Sequence, residues 1–362
     1  MTGAAVVLLL VFLFSAGAFP QVQEPDNASD IPKLKALAEN GEPSAQLALG
    51  LAYQNGRGMP QNDALAVGWY RKAAEAGNSE AQNDLGVMYM SGWGVNKDKQ
   101  EAVRWYHIAA KQKNAHAMFN LGAAYYNGEG VGIDDIRAFA WFLLAEESGS
   151  TSATDAVQRA QRELRPGSVD RAMTEIAELY FEGKELNRND QEVFRWLRKA
   201  AGHGDLHAEL VLAGILMAAV PPDYDEARQW CEAGLKQQSA MAANCLGDIY
   251  RKGLGTTKDP AKALTLLRQA ADSGIAPAMV KAADMLASGE AGKTDARLAL
   301  IYLVRAMLSG DNSALAKAVA IHAQMSEKEW KKVREDMKRQ IFGQGARLEE
   351  VLRSVEVGSP LK

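Results

Sequence analysis

The stretch Ser79 to Lys113, SEAQNDLGVMYMSGWGVNKDKQEAVRWYHIAAKQK, recurs along the chain at a period of 36 residues. Moved back by 36 it meets SAQLALGLAYQNGRGMPQNDALAVGWYRKAAEAG, and moved forward by 36 it meets AHAMFNLGAAYYNGEGVGIDDIRAFAWFLLAEESG. A fixed period in this range is the signature of stacked supersecondary units, each burying its apolar face only against its neighbours. Every copy reads as two helices. The first carries A-x-x-x-L-G-x-x-Y and stops at a Gly; the second starts after Asn or Asp and carries A-x-x-W-Y-x-x-A-A. A length of 362 would ordinarily imply two or more domains. A repeat array overrides that expectation, because its core grows along one axis.

Four columns test the register. The first holds Ala45, Ala81, Ala117, Ala172, Ala208, Ala242 and Ala278; the second, five places on, holds Gly50, Gly86, Gly122, Ala177, Ala213, Gly247 and Ala283. Small residues there let helix backbones approach, and each Gly costs the helix about 1 kcal/mol that packing must offset. The third column is large: Trp69, Trp105, Trp141, Trp196, Trp230, Leu266 and Tyr302. Seven residues before each of its members stands Asn62, Asp98, Asp134, Asn189, Asp223, Asp259 or Asp295, all good helix N-caps.

These motifs, A-x-x-x-L-G, G-x-G-V and A-A at fixed offsets, resemble the Sel1-like repeat, a TPR-related family, over roughly residues 44 to 340. The resemblance implies an all-α fold, an α/α solenoid (right-handed superhelix) of about seven repeats. An extra helical pair is expected after repeat three and a capping pair at the C-terminal end. The segments read as a signal peptide (1–18), a tether with a short helix (19–42), repeats 1–3 (43–150) and an inserted helix and turn (151–169). Repeats 4–7 (170–310), capping helices (311–340) and a tail (341–362) follow. The inserted helix is expected from Ala153 to Leu164, closed by a Pro166-Gly167 turn that no helix interior tolerates. The tail holds one short helical pattern, Ala346 to Val355.

The N-terminus differs in kind. Ala4 to Phe14 is apolar and leads to Ser15-Ala16-Gly17-Ala18, an A-x-A pattern that predicts export with cleavage before Phe19. No Lys or Arg lies in the first 18 residues, so an uncut hydrophobic anchor is the competing reading. Beyond it no apolar run reaches the ~18 residues of a membrane span. A net charge of −4 and a pI near 5.9 argue against nucleic-acid binding.

No catalytic constellation stands out, and neither a cofactor nor a metal is expected. His203 and His207 have i, i+4 spacing, but Gly204-Asp205 puts a turn between them. Ser288 to Thr294 approximates a phosphate loop, yet Ala287 replaces its first Gly and it joins two helices rather than following a strand. No Ser nucleophile has a paired base. The chain therefore reads as no enzyme but an exported, periplasmic scaffold or adaptor that binds partner proteins of the cell envelope on the solenoid's concave face. A cell-wall-acting enzyme or accessory factor, or a secreted host-interacting factor, are the alternatives.

The groove is expected along an i, i+4, i+7 stripe set by Leu47, Leu51 and Gln54. Later repeats supply Asn83, Met90, Phe119, Tyr126, Glu178, Phe181, Met217, Asn244, Asp248, Arg251 and Asp284. The other reading packs these residues beneath the inserted helices. Trp93, in the loop SGWGV outside every column, is a further contact candidate, with loop packing as its alternative. The two cysteines, Cys231 and Cys245, lie across a turn near Gln238 at matching heights. Cysteine-rich Sel1 relatives bridge this junction at C-x7-C spacing, whereas here the spacing is C-x13-C, which leaves a disulfide or two buried thiols open. A bond needs Cα atoms within about 7 Å.

Overall fold

The computed structural model describes residues 30–165, 167–341 and 345–358, which form nineteen α-helices and no strand. The expected signal peptide, the first part of the tether and Pro166 of the expected turn lie outside the described residues. Contacts divide the chain into two compact units, Met1–His203 and Gly204–Lys362.

In the first unit α1 (Ile31–Glu39) precedes three helix pairs. These are α2 (Pro43–Asn55) with α3 (Asp63–Glu75), α4 (Ser79–Ser91) with α5 (Lys99–Lys111), and α6 (Ala115–Asn127) with α7 (Asp135–Glu147). The single helix α8 (Thr151–Glu163) follows, then the pair α9 (Ser168–Glu182) and α10 (Asp190–Gly202). Each second helix packs also on the next first helix, α3 on α4 and α5 on α6, while α7 packs on both α8 and α9. Ser150 caps α8 by accepting from the Ala153 amide, as Asn114 caps α6 through Ala117. α8 thus stands where a fourth first helix would begin. The insertion adds one helix rather than the expected pair, because the chain runs from Gly167 straight into α9, the first helix of repeat four.

The second unit holds α11 (Leu206–Ala218) with α12 (Tyr224–Lys236), α13 (Ala240–Lys252) with α14 (Pro260–Asp272), and α15 (Ala276–Ser288) with α16 (Ala296–Leu308). It ends in α17 (Ala314–His322), α18 (Glu327–Gln340) and α19 (Gly345–Val357). The described part of the expected tail, 345–358, is therefore part of the cap, and the rest of it, apart from residue 341, lies outside the described residues. α19 buries Leu348, Val351, Leu352 and Val355 and packs on α16 and α17. The need for it is physical: α16 is apolar on most of its circumference, α17 is short, and α18, among its described side chains, buries Trp330, Val333, Asp336 and Met337.

Local chemistry explains why the elements start where they do. Asn62, Asp98, Asp134, Asn189, Asp223, Asp259 and Asp295 each accept a first-turn amide with the side chain, at the head of every second helix. First helices of four repeats are capped likewise, by Asn78, Asn114, Asp205 and Ser239.

The small-residue column is explained by a column that sequence reading missed. A Cβ on Gly50 would lie 2.6 Å from the Tyr70 ring, on Gly86 2.6 Å from Tyr106, on Gly122 2.5 Å from Phe142, and on Gly247 2.6 Å from Leu267. Each partner directly follows a member of the large column, and Tyr70 and Tyr106 are fully buried. Burial pushes both phenols well above their usual range, with Asp84 adding to the effect. The second Gly of G-x-G has its own reason. Gly94 and Gly130 adopt positive φ and press against the backbone at Asp63–Ala64 and Lys99–Gln100, so the loop of one repeat seats on the helix start of the repeat before it.

Candidate functional site

The expected stripe divides by unit. In the first, Leu47 and Leu51 are buried in a core cluster with Val67, Tyr70, Leu85 and Met88. Asn83 is fully buried: its amide donates to Asp84 at 3.0 Å, and its carbonyl oxygen accepts from Asn120 at 2.9 Å. Met90 is buried, and Phe119 packs against Phe142 with ring centroids 5.4 Å apart. These five residues are interior and line no open groove. An apolar i, i+4, i+7 stripe marks a buried helix face as readily as a docking face, and here it marks the former.

Two further positions are half-covered. Gln54 accepts from the Tyr70 hydroxyl. Tyr126 lines a cleft of about 30 Å³ between α6, α7 and α8, with Phe139, Phe142, Ala156 and Leu164. Burial raises the Tyr126 phenol pKa, helped by Glu163 and Asp135. Only α9 presents its stripe to solvent in this unit. Glu178 is exposed there, and Phe181 is 54% exposed with the Arg188 guanidinium 5.2 Å from its ring centre. Trp93 is 49% exposed in its loop.

In the second unit the stripe is half-exposed throughout, and its polar members hold one another. Lys281 donates to Asp248 at 2.5 Å and to Asn244 at 3.0 Å. One repeat later Lys317 donates to Asp284 at 2.5 Å. Arg251 and Lys258 bind Glu290 at 3.0 and 3.3 Å. Burial alone would raise the Glu290 pKa; these two cations outweigh it and hold the carboxyl below its usual value. Asn244, Asp248, Arg251 and Asp284 therefore tie neighbouring elements together, at up to about 1 kcal/mol per half-exposed pair.

The apolar end of this stripe is α11. Leu210, Val211, Ile215 and Met217 are all partly exposed, and Gly214 is exposed among them. Nothing lies within 4 Å of where a Gly214 Cβ would be, so repeat packing does not require glycine there. Sequence reasoning found Met217 but missed Leu210, Val211 and Gly214. Their signal was an almost wholly apolar helix, LHAELVLAGILMA, with a glycine one residue beyond the small-column Ala213.

Cys231 and Cys245 form a disulfide joining α12 to α13, with Cα atoms 6.2 Å apart. Cys231 is fully buried, in the column otherwise held by Tyr70, Tyr106 and Phe142. His203 closes α10 and lies 2.9 Å from Asp170. Among the described residues no group of His, Cys, Asp and Glu has metal-binding geometry, and no helix is long and apolar enough to cross a membrane.

Paired helices on this period, with N-caps, small column and G-x-G turns in register, define an α/α solenoid of Sel1-like repeats. A sequence profile of the Sel1 repeat family matches residues 43–78, 79–114, 115–150, 170–205, 208–239, 240–275 and 276–311, and the chain belongs to that family. Its members are typically protein–protein interaction scaffolds and generally non-enzymatic. Among solved structures, a protective antigen of uropathogenic Escherichia coli with an SLR fold is 30% identical. That likeness covers 92% of this chain and 69% of the antigen, at a TM-score of 0.46. A Sel1 repeat protein from Oxalobacter formigenes is 29% identical over 68% of this chain and 97% of its own, at a TM-score of 0.30. An uncharacterised protein of Neisseria meningitidis serogroup B is 31% identical over 100 residues, 28% of this chain. That alignment spans 21% of the Neisseria protein.

Proposed function

We propose that this chain is an exported scaffold that binds a partner protein on the exposed faces of its first helices, with α11 supplying the apolar anchor. The observation that carries the reading is Gly214. Glycine in a helix interior costs about 1 kcal/mol, and at Gly50, Gly86, Gly122 and Gly247 close packing explains it. At Gly214 no such packing exists, and half-exposed Leu210, Val211 and Met217 surround the bare backbone. Exposed aliphatic and Met side chains around a closely approachable backbone suit an apolar segment of a partner. In the polar ladder along α13 and α15 the carboxylates of Asp248, Asp284 and Glu290 are all paired and one cation is left in excess, because Arg251 and Lys258 share Glu290, so it favours polar groups, neutral or acidic, toward that end.

Export is part of the same reading. A disulfide persists where the compartment is oxidising, which supports a periplasmic or extracellular site. Intact-mass measurement of the mature protein tests this: a chain starting at Phe19 is expected, and one retaining Met1 contradicts cleavage.

Binding is tested by crosslinking pull-down from intact cells with wild type and Gly214→Arg. The wild type should enrich one or a few envelope proteins, and the arginine variant should lose them with thermal stability undiminished, since arginine is a better helix former than glycine. Equal recovery by both proteins removes α11 from the interface, and recovery of nothing above background removes the scaffold reading itself.

A further inference from the structure

The turn of repeat four, Gly183 to Asn189, does not sit as its counterparts do. Leu186 is only 2% exposed, and the Asn187 amide donates to the Lys111 carbonyl at 3.1 Å, across 76 residues of sequence. The insertion of α8 and the packing of α9 on α7 bring this turn back against the end of α5. What fastens it there is a set of ionisable groups. The Arg137 guanidinium on α7 binds Glu175 of α9 at 2.6 Å and stands 3.6 Å from Glu185 in the turn. His107 of α5 packs edge-on to Trp141 at 5.6 Å and has Nδ1 3.8 Å from Glu185 Oε2. Neither of those two atoms has a hydrogen-bond partner, although both are buried.

We infer that the repeat-four turn is a pH-sensitive latch, held on α5 and α7 around neutral pH by His107, Glu185 and Arg137 and released by acid. The groups facing His107 decide the sign. Arg137 on α7 and Lys111 on α5 itself are cationic; Glu185 in the turn is acidic, with Glu175 and Glu182 of α9 behind it. Lys184 is occupied by Glu182 at 3.3 Å, and Tyr125 of α6 lies under Arg137, 5.6 Å from ring centre to guanidinium. The Glu185 carboxylate 3.8 Å away favours the imidazolium, but Arg137 already holds that carboxylate, and burial first, then Arg137 and Lys111, lower the His107 pKa from 6.5 to about 4. The docked turn therefore needs neutral His107. Its contribution is full above pH 6.5 and is lost as the pH falls from there toward 4. Glu185 shifts the other way, raised chiefly by burial. Its uptake of a proton opposes release at the acid end, so the latch is best read above the carboxylate range.

Release would free the turn that leads out of α9, the helix carrying Phe181 and Glu178. A consequence for partner binding rests on the proposed function; the latch itself does not.

Hydrogen exchange of the 183–189 amides in the full chain, time-scaled for intrinsic rates, reads the latch directly. Between pH 8 and pH 5.5 the wild type should open about tenfold more often, the ratio that linkage gives for a histidine moved from 6.5 to about 4. His107→Gln, uncharged and non-titrating, should show no such rise. A flat wild-type profile, or the same rise in the glutamine variant, overturns the latch. Should the variant fail to fold, NMR titration of His107 in the wild type decides: a midpoint near 6.5 overturns it, and one well below 6.5 that coincides with opening of the turn supports it.

Discussion

Gly86 and Gly214 are both glycines in the middle of first helices, yet they exist for opposite reasons, and alanine distinguishes them. On Gly86 a Cβ would meet Tyr106 at 2.6 Å and the Ala102 carbonyl at 3.1 Å. Overpacking of that kind costs about 1–3 kcal/mol, against about 1 kcal/mol of recovered helix propensity. Gly86→Ala should therefore lower stability by about 1 kcal/mol net in urea unfolding. Gly214→Ala meets open space and should raise stability by about 0.5–1 kcal/mol. A stabilised Gly86→Ala would contradict the close-packing account of the column. The need for small residues at Gly50, Gly86 and Gly122 was legible in the sequence, since the column repeats. Tyr70, Tyr106 and Phe142 as its causes were not, because a side chain 20 residues away in sequence meets the glycine only after folding. The stripe through Leu47, Asn83 and Phe119 failed for a related reason: helical periodicity says which residues share a face and is silent on what covers it.

Helix starts were the most legible elements. An N-cap acts within its own first turn, so seven Asn and Asp residues at one offset carry their structural meaning locally. The role of α19 was not legible, since its burial depends on what α16, α17 and α18 leave uncovered. The disulfide lies between these cases. The register put Cys231 and Cys245 at matching heights on α12 and α13, but side-chain direction decided whether they meet, and Cα atoms 6.2 Å apart allow it. Replacing both cysteines by serine should cost up to about 3 kcal/mol, the chain-entropy value for a loop of this size. The loss should be local, with exchange rising in α12 and α13 while α2 to α7 stay protected, as expected where each repeat packs only on its neighbours. Unchanged exchange in α12 and α13 would mean that the bond does not secure this junction.

At the scale of the whole molecule, the residues that stabilise the fold and those proposed to bind a partner fall at different positions of one repeated pattern. Core residues recur with the period, whereas α9 and α11 depart from it, one through exposed Phe181 and Glu178 and the other through Gly214 and its apolar surround. Binding is expected where the repeat breaks its own rule. A photo-crosslinking amino acid placed at Met217, and in parallel at exposed Gln229 on α12, tests this in intact cells. The account predicts a discrete protein adduct from position 217 and none from position 229. Adducts from 229 alone, or from neither position, would contradict it.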